Sequence, residues 1–196
     1  MTAALLKPRP AETGGCRFPD WCNGSCEEGD VPGGERNHWS NGTRFPAFDV
    51  DERIAVELYD YENAEDGIDP VLVYLAAGDD DLDEDGVSIP TEQARSLGVL
   101  LREFSPKSKW PEDERIYTAL DKDGDWAVTA DYRHKRDLRM GGVQAEHVEF
   151  SIRPDSTRRH SIRVRLSMLT AKRLGRHLIA EADRAAASNA KFGLVS

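Results

Sequence analysis

Between residues 146 and 167 the chain alternates apolar and polar positions with a period of two. Val148, Phe150 and Ile152 share one side of a first run, and Ile162, Val164 and Leu166 share one side of a second. Glu149, Ser151, Arg163 and Arg165 occupy the other side. Side chains of a strand point alternately to its two faces, so the pattern predicts an antiparallel hairpin with one buried face. A turn centred on Thr157 sets Glu149 opposite Arg165, a favourable cross-strand pair. RIAVELYDY (53–61) and PVLVYLAA (70–77) predict two more strands. In RIYTALDKDGDWAVTADYR (115–133), Asp123-Gly124 between strand-like runs predicts a further hairpin.

Two segments switch to the helical period. Ala94, Leu97, Leu101 and Phe104 form one apolar stripe, and Ala171, Leu174, Leu178 and Ala182 form another. The two share an A-[RK]-x-L-G-x-x-L core at a constant offset of 77, so Gly98 corresponds to Gly175. Each copy follows two strand-like runs, which predicts a duplicated β-β-α unit. The central glycines cost helix propensity, about 1 kcal/mol each relative to alanine, and their expected return is a close approach of helix to sheet. Ser88 or Thr91 is the expected cap of the first helix and Ser167 that of the second. The second helix is expected to end near Ser188, with NAKFGLVS as a loose tail.

The predicted architecture is α+β, an antiparallel sheet with helices on one face, preceded by an N-terminal zinc knuckle. The expected segments are a leader (1–15), the knuckle (16–45), a first β-β-α unit (46–110), a second unit with an extra hairpin (111–190) and a tail (191–196). No apolar stretch approaches the roughly 20 residues that span a bilayer, and MTAALLKPRPAETGG carries too short an apolar run for a signal peptide. The expectation is a cytoplasmic protein.

Charge changes the picture in one respect. The 196-residue chain has a formal net charge of −10, unevenly placed: residues 1–110 hold 10 basic and 23 acidic side chains, and residues 111–196 hold 16 and 13. Such asymmetry concerns partners and solubility rather than fold.

The chemistry gathers near the N-terminus. All three cysteines and a histidine lie in Cys16-x5-Cys22-x3-Cys26-x11-His38. In a reducing compartment, clustered thiols favour a metal over disulfides. Three thiolates and an imidazole are an established tetrahedral set for structural zinc, and Gly24, Gly29, Gly33 and Gly34 give the backbone freedom to wrap an ion. The alternative is three unrelated thiols and a surface histidine. The segment is too poor in aliphatic residues for its own core, so a metal is expected to fold it, with Pro19 and Trp21 shielding one side.

Pro19-Asp20-Trp21-Cys22, Cys26, His38 and the helix start Thr91-Glu92-Gln93-Ala94-Arg95 resemble an uncharacterised actinobacterial and phage family of C-P-x-W-C-x3-H type over residues 16–104. The chain departs from that pattern twice: Cys16 lies six positions before Cys22 rather than four, and Cys26 replaces a histidine, a swap that preserves zinc chemistry. The resemblance implies a bacterial or phage setting and no activity.

Other motifs point away from catalysis. Asp121-x-Asp123-Gly124-Asp125 has its glycine too early for an EF-hand loop, and the acidic run 79–85 has no ligand pattern. There is no P-loop, nucleophile elbow, dinucleotide fingerprint or H-E-x-x-H. His134 and His160 read as turn residues, His147 as outward on its strand, and His177 as partly buried. Arg158, Arg159, Arg163, Arg165, Lys172, Arg173 and Arg176 form a candidate basic interaction surface. Residues 146–166 offer no outward aromatic ring for base stacking, and the net charge is acidic. The expected function is therefore a non-enzymatic, zinc-stabilised protein-interaction module acting on a protein partner or a second copy. Nucleic-acid binding through the basic half is the first alternative, and an acidic decoy using residues 79–85 the second.

Overall fold

A computed structural model describes residues 16, 18, 20–24, 26–28, 35–48, 53–63, 67–78, 86–104, 116–120, 126–133, 147–153 and 162–194. The leader, the acidic run 79–85, the Asp121–Asp125 turn, His134, His160, Arg158 and Arg159 lie outside them.

The first sheet begins with β1 (Glu27–Glu28), β2 (Glu35–Trp39) and β3 (Thr43–Pro46). It continues with β4 (Arg53–Asn63), β5 (Gly67–Ile68), β6 (Leu72–Gly78) and β7 (Gly86–Ile89), followed by α1 (Thr91–Glu103). The second sheet is a meander of β8 (Ile116–Leu120), β9 (Trp126–Arg133), β10 (His147–Ile152) and β11 (Ile162–Ser167), followed by α2 (Met168–Phe192). All strand pairs are antiparallel, so the α+β class is as expected. The strands form two sheets, a point on which the sequence leaves both one and two open.

The repeat is larger than two strands and a helix. β3, β4, β6, β7 and α1 follow the order of β8, β9, β10, β11 and α2, a four-stranded meander closed by a helix. The registers match layer by layer. Leu58 faces Val73, which faces Ile89, as Tyr132 faces Val148, which faces Leu166. Val56–Leu75–Val87 likewise repeats as Ala130–Phe150–Val164. The paired β8 and β9 thus supply the first two strands of the second unit and are no addition to it. The four-residue β7 carries only two buried apolar side chains, Val87 and Ile89, too short a run for alternation to announce it.

The apolar faces of both sheets join the helix stripes in one core. Every stripe residue expected to be buried is so: Ala94, Leu97, Leu101 and Phe104 on α1, and Ala171, Leu174, Leu178 and Ala182 on α2. Ser167 caps α2, accepting from Thr170 N at 3.0 Å. Neither expected residue caps α1: Pro90 holds that position without a side-chain bond, and Ser88 lies in β7. Pro90 fixes its own φ and has no amide hydrogen to leave unpaired. Glu149 does face Arg165, and its carboxylate lies 3.8 Å from Arg163 on the diagonal. His147 is buried, not outward, with its ring against Phe48.

The expected helix–sheet role of the two glycines is corrected by the packing. A Cβ on Gly98 would lie 2.7 Å from Gly175 O, and one on Gly175 would lie 2.6 Å from Gly98 O. Leu101 and Arg102 of α1 also close on Gly175, while Ile179 of α2 closes on Gly98, so the helices run antiparallel through a reciprocal crossing. The glycines admit helix to helix. Gly98→Ala and Gly175→Ala should each destabilise the protein by about 2 kcal/mol in chemical denaturation, overpacking outweighing the gain in helix propensity. The exposed Ser96→Ala in the same helix should stay within about 0.5 kcal/mol of the parent. Equal midpoints for all three would mean the crossing is not tight.

Candidate metal centre

Four local devices bring the cysteines and the histidine together. A turn in which the amides of Trp21 and Cys22 donate to Phe18 O places Cys22 near Cys16, and the Phe18 amide donates to Cys16 Sγ at 3.4 Å. An antiparallel bridge from Cys22 to Ser40, with Asn23 N donating to Trp39 O, pins this turn to the end of β2. Gly24, at φ +89°, then reverses the chain, a conformation that other residues rarely adopt. The pairing of β1 with β2 carries Cys26 back to His38, which faces Asp60 across the β2–β4 ladder.

The resulting geometry is compact. His38 Nδ1 lies 3.5 Å from Cys16 Sγ, 3.9 Å from Cys22 Sγ and 3.3 Å from Cys26 Sγ, and the sulfurs of Cys22 and Cys26 are 3.7 Å apart. One ligand atom from each residue lies within 4.8 Å of the others. All three cysteines are free thiols. The group fits a metal ion, with every ligand position of a tetrahedron supplied by the protein.

Its electrostatics are compatible with a cation. Burial pushes the Cys16 thiol up to about 12, and burial raises Cys26 as well. Burial also acts to raise Cys22, but the Gly24 amide, His38 and the neighbouring thiols outweigh it and bring that thiol down to about 7. Three thiolates this close repel one another, and a bound cation relieves the repulsion. Burial acts to lower His38, but Glu62, Cys22 and Asp60 more than offset it. His38 is 1% exposed, and its Nε2 is buried on the side away from the cysteines.

The knuckle is no separate domain. Phe18, whose role the sequence did not signal, is fully buried, with its ring 4.9 Å from that of His38 and 5.0 Å from those of Trp21 and Phe192. Trp21 Nε1 donates to Ser188 Oγ at 3.1 Å, and Lys191 pairs with Asp20. Asn189 accepts from Val71 N at 2.7 Å and donates to Val71 O at 3.2 Å. Of the expected loose tail, Asn189 to Phe192 form the last turn of α2, which seats the knuckle. Gly193, in the left-handed conformation, ends it.

Of the basic surface residues, Arg163 is exposed on β11 and Arg165 half-buried there, while Lys172, Arg173 and Arg176 lie on the outer side of α2 around Leu169, which is 59% exposed. His177 is half-buried beside Phe45, 3.8 Å from Glu181, and burial lowers its pKa. Among the described residues no helix is long and apolar enough to cross a membrane. No family model and no curated protein matches the chain.

Asn189→Ala should cost about 2 kcal/mol, because it strands a buried amide and carbonyl of Val71. Phe192→Ala should leave the global fold in place and expose the three thiols to a thiol reagent faster than in the parent. Unchanged thiol reactivity would show that the knuckle stands without α2.

Proposed function

We propose that the chain is a zinc-stabilised protein-interaction module in which Cys16, Cys22, Cys26 and His38 hold one structural zinc ion. The observation that carries this reading is the spacing of the ligand atoms. A tetrahedral zinc with Zn–S of about 2.3 Å and Zn–N of about 2.0–2.1 Å separates sulfur from sulfur by about 3.8 Å and sulfur from nitrogen by about 3.5 Å. Here the sulfurs of Cys22 and Cys26 are 3.7 Å apart, the three sulfurs lie 3.3–3.9 Å from His38 Nδ1, and all four ligand atoms lie within 4.8 Å of one another. Three soft thiolates with one imidazole favour zinc over hard cations. Four protein ligands leave no position for a reacting water, so the ion serves folding.

The outward role is contact with a protein that presents acidic side chains. Support comes from the exposed Leu169, followed at helical spacing on the same stripe of α2 by Lys172, Arg173 and Arg176, a basic strip suited to an acidic partner. A bacterial or phage setting, cytoplasmic, belongs to the same reading through the resemblance in residues 16–104.

Protein purified without a metal-affinity step should contain one zinc per chain by mass spectrometry, with three thiols masked until denaturation. Cys26→Ser should lose the zinc and lower the melting temperature, whereas Arg173→Glu/Arg176→Glu should keep both. Metal-free protein with freely reactive native thiols would end the zinc reading. Salt-dependent retention on duplex DNA, lost in the double charge reversal, would replace the protein partner with nucleic acid.

A further inference from the structure

His38 presents its two ring nitrogens to two different environments. Nδ1 faces the three sulfurs at 3.3–3.9 Å. Nε2 points the opposite way, is buried, and has no hydrogen-bond partner among the described residues; Glu62 Oε2 stands 3.5 Å from it. An imidazole that gives the Nδ1 lone pair to a metal carries its proton on Nε2. A buried N–H without an acceptor is costly, so a ring placed this way calls for an acceptor behind it.

The sheet supplies one. In the β2–β4 ladder, Asp60 faces His38 and Glu62 faces Arg36, which puts Glu62 on the diagonal from His38, on the same side of the sheet. Glu62 is also paired with Ile68 of β5, so its backbone is held from both flanks. Asp60 is the competing carboxylate. It is 1% exposed, and neither of its oxygens has a hydrogen-bond partner among the described residues. It makes no hydrogen bond to Nε2, and Glu62 is the carboxylate that stands within ion-pair distance of that nitrogen.

We infer that Glu62 is a positioning residue for the metal centre: its carboxylate accepts the His38 Nε2 proton when Nδ1 takes the metal. The gap of 3.5 Å closes by a few tenths of an ångström to reach hydrogen-bonding distance. The bond fixes the ring tautomer and orientation and makes Nδ1 a stronger donor, as carboxylates behind metal-bound histidines generally do. This inference rests on the zinc reading and adds to it a fifth residue, one that touches no metal.

The test uses the full chain and zinc alone. Zinc affinity is measured by competition with a chromophoric chelator for the parent, Glu62→Ala, Glu62→Gln and Asp60→Asn, and the melting temperature of each metal-free protein is recorded beside it. Glu62→Ala should bind zinc about 10-fold to 100-fold more weakly. Glu62→Gln, whose amide oxygen still accepts, should fall between it and the parent. Asp60→Asn should stay within threefold of the parent, and the metal-free melting temperatures of parent and Glu62 variants should agree. Cobalt substituted for zinc should give thiolate charge-transfer bands in every variant, since the ligand set is unchanged. The inference is overturned if Glu62→Ala binds as the parent does, if Asp60→Asn loses more affinity than Glu62→Ala, or if the metal-free Glu62 variants lose stability in parallel with affinity. A parent that takes up neither zinc nor cobalt sinks the zinc reading itself, a result distinct from each of these.

Discussion

Where α1 crosses α2, the carbonyl oxygen of each central glycine stands in the space that a side chain on the other would need. The rest of the architecture depends on this contact. Each unit has a four-stranded meander and a single helix. Set back to back and antiparallel, the two helices become a shared layer that reaches both sheets: α1 touches β6 and β8, and α2 touches β3, β4, β6, β10 and β11. The two units therefore have one core. A wider helix pair would open a gap along this layer, and a void in a core loses contact on every side that lines it. The propensity cost of a glycine in each helix is offset by that closure.

A second dependence runs from one end of the described chain to the other. The knuckle begins at Cys16, and the helix that seats it ends at Phe192. Phe18 lies between the ring of a ligand, His38, and the ring of Phe192, while Trp21 and Asp20 reach Ser188 and Lys191. Any motion of the last turn of α2 is felt at the ligands through one aromatic ring. The inverse also holds. With two of its thiols resisting ionisation and its histidine Nε2 making no hydrogen bond among the described residues, the knuckle leans on aromatic packing against α2.

How much of this was legible follows from the range over which each signal acts. The buried stripes of both helices, the strand alternation in β10 and β11, and the pairing of Glu149 with Arg165 rest on local periodicity, which side-chain direction enforces directly. The four ligands stood out because cysteine is scarce here and all of it lies within 11 residues. Phe18 gave no comparable signal: a lone phenylalanine among polar residues reads as surface, and only the distant Phe192 and His38 explain its burial. Asn189 and Ser188 misled for a related reason. Polar residues near a chain end suggest fraying, yet these satisfy backbone and indole groups 118 and 167 positions away. The glycines were correctly marked as close-approach points, but which surface approaches is set by topology, and one motif copy cannot show that its partner is the other copy. Glu62 was invisible as a functional residue because its position behind His38 is a consequence of β2–β4 register.

The charge distribution at the knuckle would suit a metal that serves folding better than one that reacts. Around His38 the fold places three thiols and two carboxylates, with Asp60 pushed up to about 8, mainly by burial. A dication neutralised by three thiolates would leave a net negative centre, with the Glu62 carboxylate beside it. Such a centre is a weak electrophile and a poor activator of water, since the power of a metal to polarise a bound oxygen rests on its uncompensated positive charge. What the arrangement does well is hold: thiolates bind strongly, the imidazole is fixed by the sheet, and the carboxylate behind it is delivered by the same ladder. The cluster is therefore best understood as a clasp that joins the first strands to the end of the last helix.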